Sequence, residues 1–144
     1  MKRILGLDVG DKTIGVAVSD PLGYTAQGLM VIRRSNPVAD MKKIEEIICQ
    51  YEIGLIVLGL PRNMNGTLGE QAERVLGFGS ELKARFGIKI VPWDERLSTV
   101  ASEKALLEAD LSRRRRKEII DQTAAALILQ NYLDSRAAGK DSGR

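Results

Sequence analysis

The chain has 144 residues, 44% hydrophobic, 28% charged and 4% aromatic, with 22 Lys and Arg against 19 Asp and Glu for a net charge of +3. That length suits one domain burying roughly 70% of its extended surface, and no apolar run nears the roughly 20 residues that span a bilayer. One Cys and no His exclude an internal disulfide, a zinc site of the usual Cys/His kind and every nucleophile that depends on an imidazole.

Met1-Lys2-Arg3 leads directly into a strand pattern, so we expect a cytoplasmic protein without a signal peptide. Strand signals cover residues 2–9, 13–19 and 29–33, with turns at Gly10 and around Pro21-Leu22-Gly23, which predicts an antiparallel meander. Asn36-Pro37 supplies a helix cap and a first-turn proline. Val38, Met41, Ile44, Ile47 and Tyr51 then repeat at helical spacing to about Glu52. Residues 55–60 are apolar on both faces, as in a parallel strand covered by helices, and Pro61 stops them.

Thr67 and Glu70 have capping-box spacing, predicting a helix that runs from there to Phe86 and closes at Gly87. A strand over 88–92, a helix over 99–109 and a last helix over 117–133 follow, with 137–144 as a disordered tail beyond a domain of residues 1–136. Met30, Met41 and Cys49 fall on or beside core stripes, and Trp93 is expected to pack in the core. Right-handed crossovers give a five-stranded mixed sheet, order 3-2-1-4-5 with strand 2 antiparallel, in an α/β fold. The carboxyl ends of strands one, four and five then share an edge, where open α/β sheets place their sites.

Three acids fall at that edge: Asp8 near the end of strand one, Glu95 directly after strand five and Asp121 early in the last helix. At about 4 Å in an effective dielectric near 20, each ionised pair repels by roughly 4 kcal/mol. Such a cluster calls for cations, and oxygen ligands select Mg²⁺ or Mn²⁺. Two such ions roughly 4 Å apart suit phosphodiester hydrolysis without a histidine base. Each acid also has a structural reading: Asp8 in a turn, Glu95 paired with Arg96, Asp121 complementing the helix dipole. Asp20 should serve the turn before Pro21, Asp11 sits in the hairpin loop, and strand alternation lets only one of Asp94 and Glu95 face the metals.

Arg113, Arg114, Arg115, Arg116 and Lys117 stand immediately before the predicted last helix, where guanidinium groups suit phosphate contact better than a merely solvated run would require. Arg62, Asn63 and Asn65 follow strand four at the same edge, and Lys12 lies at the hairpin tip. All four are candidates to hold a nucleic-acid backbone or base, against the alternative of ordinary turn residues.

The stretches ILGLDVGDKTIGVAVSDPLG, IVLGLPRNMNGTLGEQA, VPWDERLSTVASEKALLEA and SRRRRKEIIDQTAAALILQNYL closely resemble, in order and spacing, the YqgF family, also called RuvX. The resemblance covers about residues 2–133. It implies an RNase H-like fold and a nuclease either maturing the 5′ end of 16S ribosomal RNA or acting as a Holliday junction resolvase. Carried over, the family's acidic positions are Asp8, Glu95 and Asp121; Asp11 departs from the pattern, where the family frequently has Thr. The partners implied are precursor rRNA, branched DNA and ribosomal particles. The rivals are a sugar-kinase-like ATPase, which a single lobe's worth of chain disfavours, and a non-catalytic RNA- or ribosome-binding module.

Overall fold

The computed structural model describes residues 2–63, 65–95 and 113–137, without the side chains of residues 113–123. The expected helix over 99–109 and nearly all of the expected tail lie outside the described residues. The first three strands are β1 (Arg3–Val9), β2 (Thr13–Ser19) and β3 (Ala26–Arg33). They are followed by α1 (Pro37–Tyr51), β4 (Ile53–Leu60), α2 (Glu70–Phe86), β5 (Lys89–Asp94) and α3 (Arg113–Ala137).

The sheet order is β3-β2-β1-β4-β5, as the crossover argument required. β2 is antiparallel to both β1 and β3, whereas β4 is parallel to β1 and β5. Strand alternation splits the core in two. Leu5, Leu7, Val9, Ile56 and Leu58 pack with Met41, Ile44, Ile47, Val75, Phe78 and Leu82 of α1 and α2. Ile4, Ala17 and Val57 pack on the other face with Ala124, Ala125, Ile128, Leu129 and Leu133 of α3.

Local chemistry sets most boundaries. The Asn36 side chain accepts from Ala39 N at 2.9 Å, which caps α1 as the Asn-Pro pair predicted. Glu52 takes the left-handed conformation (φ 53°) at its far end. Gly87, with φ 63°, closes α2, a conformation that glycine adopts without steric cost.

The capping-box expectation fails. α2 begins at Glu70 behind Gly69, with no side-chain cap, because Thr67 is drawn into the preceding turn: its hydroxyl donates to Asn65 Oδ1 at 2.7 Å and accepts from Asn63 Nδ2 at 3.0 Å. A second correction concerns α3, which starts at Arg113 rather than Lys117, so the arginine run forms its first turn instead of preceding it. Cys49 is exposed and Met30 is 40% exposed, so only Met41 of that trio is core.

Asp20 organises the β2–β3 turn as expected. Its carboxylate accepts from the amides of Leu22, Tyr24 and Thr25 at 3.2, 2.7 and 2.8 Å. The Thr25 amide bond is the largest cause holding its pKa below the ordinary 3.8. A depressed folded pKa means that this carboxylate's stabilisation is present above pH 3.8 and lost as pH falls through the folded value. Asp20→Asn keeps an acceptor but cannot titrate, so acid unfolding followed by circular dichroism should show a shallower loss of stability below about pH 4.

Candidate active site

Asp8 is half-buried and, by alternation, lies on the same sheet face as Ile4 and Gly6, the face covered by α3. The β1–β4 ladder ends at Leu7↔Leu58, while β1–β2 pairing continues to Val9↔Ile14. Asp8 therefore stands just past the last β4 pair, at the carboxyl-end edge. Val91 and Trp93 of β5 also pack towards α3, and Glu95, half-buried, directly follows β5 at the same carboxyl-end edge, where the chain has left the strand. Asp94 belongs to the alternate set and lies 3.6 Å from Arg62 Nε. With β4 between them, the axes of β1 and β5 are about 10 Å apart.

α3 runs antiparallel to β1. Leu133 and Arg136 lie near Ile4, whereas Ala125 and Leu129 cover Gly6. A Cβ on Gly6 would stand 2.8 Å from Leu129 Cβ and 3.1 Å from Ala125 O, and one on Gly59 would stand 2.5 Å from Ile128 Cδ1. These glycines let the helix sit directly on the strands. Asp121 is four residues, about one turn or 6 Å, before Ala125, and Asp8 is two residues, about 6.6 Å, beyond Gly6. The Asp121 position and Asp8 thus lie at the same end of the same helix–sheet contact. Asp121's side chain lies outside the described residues.

Beside this contact Trp93 packs edge-on against Tyr132, with ring centroids 5.3 Å apart, and donates to Asn131 Oδ1 at 2.6 Å. That pairing fixes β5 to α3 and gives Trp93 the packing role expected of it.

The loop after β4 is bound to itself. Asn63 and Asn65 hold Thr67, and Arg62 donates to Gly66 O at 3.0 Å while lying beside Asp94. The three candidate contact residues in it are therefore components of an ordered turn. Lys12 contributes its backbone carbonyl, which accepts from Arg34 N at 2.8 Å. Asp11 is exposed and lies 3.7 Å from Arg74.

Asp40, Arg34 and Gln71 were not identified from sequence. Asp40 is 2% exposed, its carboxylate accepting from Ser35 N at 3.1 Å and from Arg34 Nε at 3.2 Å. Arg34 also donates to Gly10 O at 2.8 Å, and Gln71 Nε2 donates to Val9 O at 3.3 Å. An acid in the first turn of a helix reads as a dipole partner, which concealed the role of Asp40.

A family model described as "RuvX: Holliday junction resolvase" matches residues 2–135. The chain belongs to the RuvX family. This RuvX chain is 59% identical over 135 residues to a Desulforamulus reducens protein named "Putative pre-16S rRNA nuclease", an alignment covering 94% of the chain and 98% of that relative. A Clostridium botulinum (strain Hall) protein of the same name is 59% identical over 133 residues, 92% and 97% of the two chains. Among solved structures, T. thermophilus RuvC in complex with a Holliday junction substrate is 13% identical with a TM-score of 0.59, covering 96% and 97%. The yeast mitochondrial Holliday junction resolvase Ydc2 is 15% identical with a TM-score of 0.58, covering 98% and 81%. These likenesses establish the RNase H-like fold for the RuvX chain, and its family membership sets the sugar-kinase reading aside. Among the described residues no helix is long and apolar enough to cross a membrane.

Proposed function

We propose that this chain is a divalent-metal-dependent nuclease that cleaves phosphodiester bonds of structured nucleic acid, chiefly at the 5′ end of precursor 16S rRNA. The observation that carries the proposal is the position of Asp8 near the carboxyl end of β1 and of Glu95 directly after β5, at one edge of the sheet. The names of the relatives at 59% identity direct it to rRNA. The proposed setting is ribosome biogenesis in the cytoplasm, on precursor ribosomal particles.

Asp8, Glu95 and Asp121 are the proposed metal ligands and catalytic acids. Their donors are all oxygen, the chain has no His, and its one Cys is exposed on α1. That set fits Mg²⁺ or Mn²⁺ and not zinc. Two bound ions would supply Lewis acidity at the phosphoryl group and a water acidic enough to attack near neutral pH. The chain's own contribution is to hold carboxylates on rigid strands, so that little reorganisation accompanies reaction.

Substrate is held by the arginine run, Lys117 and Lys12, with Arg62, Asn63 and Asn65 shaping the loop beside them. Arginines in the first turn of α3 oppose its macrodipole at about 0.3–1 kcal/mol each, a cost that a phosphate backbone at that end offsets. Replacing residues 113–116 by Ala should weaken nucleic-acid binding. On a duplex, the slope of log K against log salt should become shallower by up to about 0.9 for each phosphate that is no longer neutralised. Fluorescence anisotropy across a salt series measures both, and an unchanged slope would assign the run to solubility.

A second reading, cleavage of four-way DNA junctions, is favoured by the description of the matching family. One assay separates the two: precursor 16S RNA and a DNA junction are each incubated with the protein over a Mn²⁺ and Mg²⁺ series. Preferred RNA cleavage supports the main proposal, and preferred junction cleavage supports the second. Binding without cleavage of either would leave the RNA- or ribosome-binding module as the function.

A further inference from the structure

Beyond the three acids, an unassigned polar strut connects the hairpin that follows Asp8 to the opposite helices. The strut begins at the buried Asp40 in the first turn of α1, passes through the Arg34 guanidinium and ends on Gly10 O. Arg34 itself packs over the Phe78 ring of α2, with its guanidinium carbon 5.4 Å from the centroid. Gln71 of α2 reaches the neighbouring carbonyl, that of Val9.

Two successive carbonyls directly after Asp8 are thus held by side chains from other elements, and Gly10 N donates to Thr13 O at 2.8 Å. β4 does not supply this support, because its pairing with β1 stops at Leu7. Val9 itself is buried in the core with Met41 and Phe78, and β2 pairs with it through Ile14. The space behind the hairpin is an open cavity of ≈ 220 Å³ whose lining includes Val9, Gly10, Arg34, Met41, Gln71 and Phe78. Across that gap, hydrogen bonds from Arg34 and Gln71 supplement this packing and pairing.

We infer that Arg34, Asp40 and Gln71 are positioning residues: they set the backbone of Val9 and Gly10 and thereby aim the Asp8 carboxylate at the metal site from the opposite side of the sheet. This rests on the metal-site reading above. Partners that orient a ligand rather than touch the ion typically govern about 10- to 100-fold in affinity or activity. The buried charge of Asp40 serves a purpose that its place in a helix turn does not explain, and its two oxygens divide between Ser35 N and Arg34, which leaves the guanidinium's other arm for Gly10.

The test uses the full chain with three substitutions, Arg34→Lys, Asp40→Asn and Gln71→Met. Lys retains a charge for Asp40 but cannot hold Asp40 and Gly10 O together, and Met retains the length of Gln71 without its donor. Three quantities are read well below each variant's melting temperature: Mn²⁺ affinity by water-proton relaxation, amide exchange at Gly10–Thr13, and the Mn²⁺ midpoint of cleavage. All three variants should bind Mn²⁺ about tenfold or more weakly and exchange the hairpin amides faster, with KM for nucleic acid changed less than about twofold.

Mn²⁺ affinity equal to wild type in Gln71→Met and Arg34→Lys, both folded, would overturn the inference while leaving the metal site intact. Absence of Mn²⁺ binding by the wild type, or binding undiminished in Asp8→Asn, would instead overturn the metal-site reading and this inference with it.

Discussion

Asp8→Asn is expected to lower metal-dependent cleavage by about three orders of magnitude while leaving the metal-free protein folded. The rate loss follows from removing a charged ligand: a weakening of transition-state stabilisation by roughly 4 kcal/mol corresponds to about a thousandfold. The fold is expected to persist because Asp8 is half-buried and Asn keeps its size and an acceptor oxygen while removing the cost of desolvating a charge. Mg²⁺ or Mn²⁺ should raise the melting temperature of wild type through preferential binding to the folded state, and that rise should vanish in Asp8→Asn. Calorimetry with and without metal, alongside single-turnover cleavage, measures the two effects. A variant that loses activity because it unfolds in the absence of metal would contradict the assignment.

The second large effect is expected from a substitution that alters no charge. Gly6→Ala should destabilise the fold by about 1–3 kcal/mol, because the new methyl meets Leu129 Cβ at 2.8 Å and the Ala125 carbonyl at 3.1 Å. Both obstacles belong to α3, so the helix must lift away from β1. Asp121 lies one turn further along that helix, and a displacement near 1 Å in a catalytic group costs about a hundredfold. Cleavage by the folded variant should therefore fall by about that factor, although no acid has been altered. Gly77→Ala is the matched control: its Cβ would meet nothing within 4 Å, and it lies inside α2. Ala is favoured over Gly there by up to about 1 kcal/mol, so stability should rise and cleavage stay unchanged. Chemical denaturation and cleavage of the two variants in parallel test the contrast.

Sheet order and the edge carrying Asp8 and Glu95 were legible because they follow from features a sequence records directly. The two-sided apolar run over 55–60 and the short hairpin at Gly10 leave few right-handed topologies. Asn36-Pro37 and Gly87 marked helix ends because their side chain or backbone freedom acts locally. Thr67 misled for the converse reason: the spacing to Glu70 suits a capping box, but Asn63 and Asn65 compete for the hydroxyl and win it. The start of α3 was placed at Lys117 because the apolar repeat that marks this helix begins only at Ile120, and four charged residues in a first turn leave no periodic signal. Asp40 was hidden most completely. Its partners, Arg34 and through it Gly10 O, come together only when the end of β3 folds back over the β1–β2 hairpin, and no periodicity reports such a contact.

In the proposed site Asp8, Glu95 and Asp121 meet around divalent ions at the carboxyl edge of β1 and β5. Crystals grown or soaked with Mn²⁺ and measured at the manganese absorption edge test it directly. We predict an anomalous peak within about 2.4 Å of carboxylate oxygens from all three residues. A fully occupied manganese coordinated elsewhere, with the Asp121 carboxylate turned away from Asp8, would contradict it.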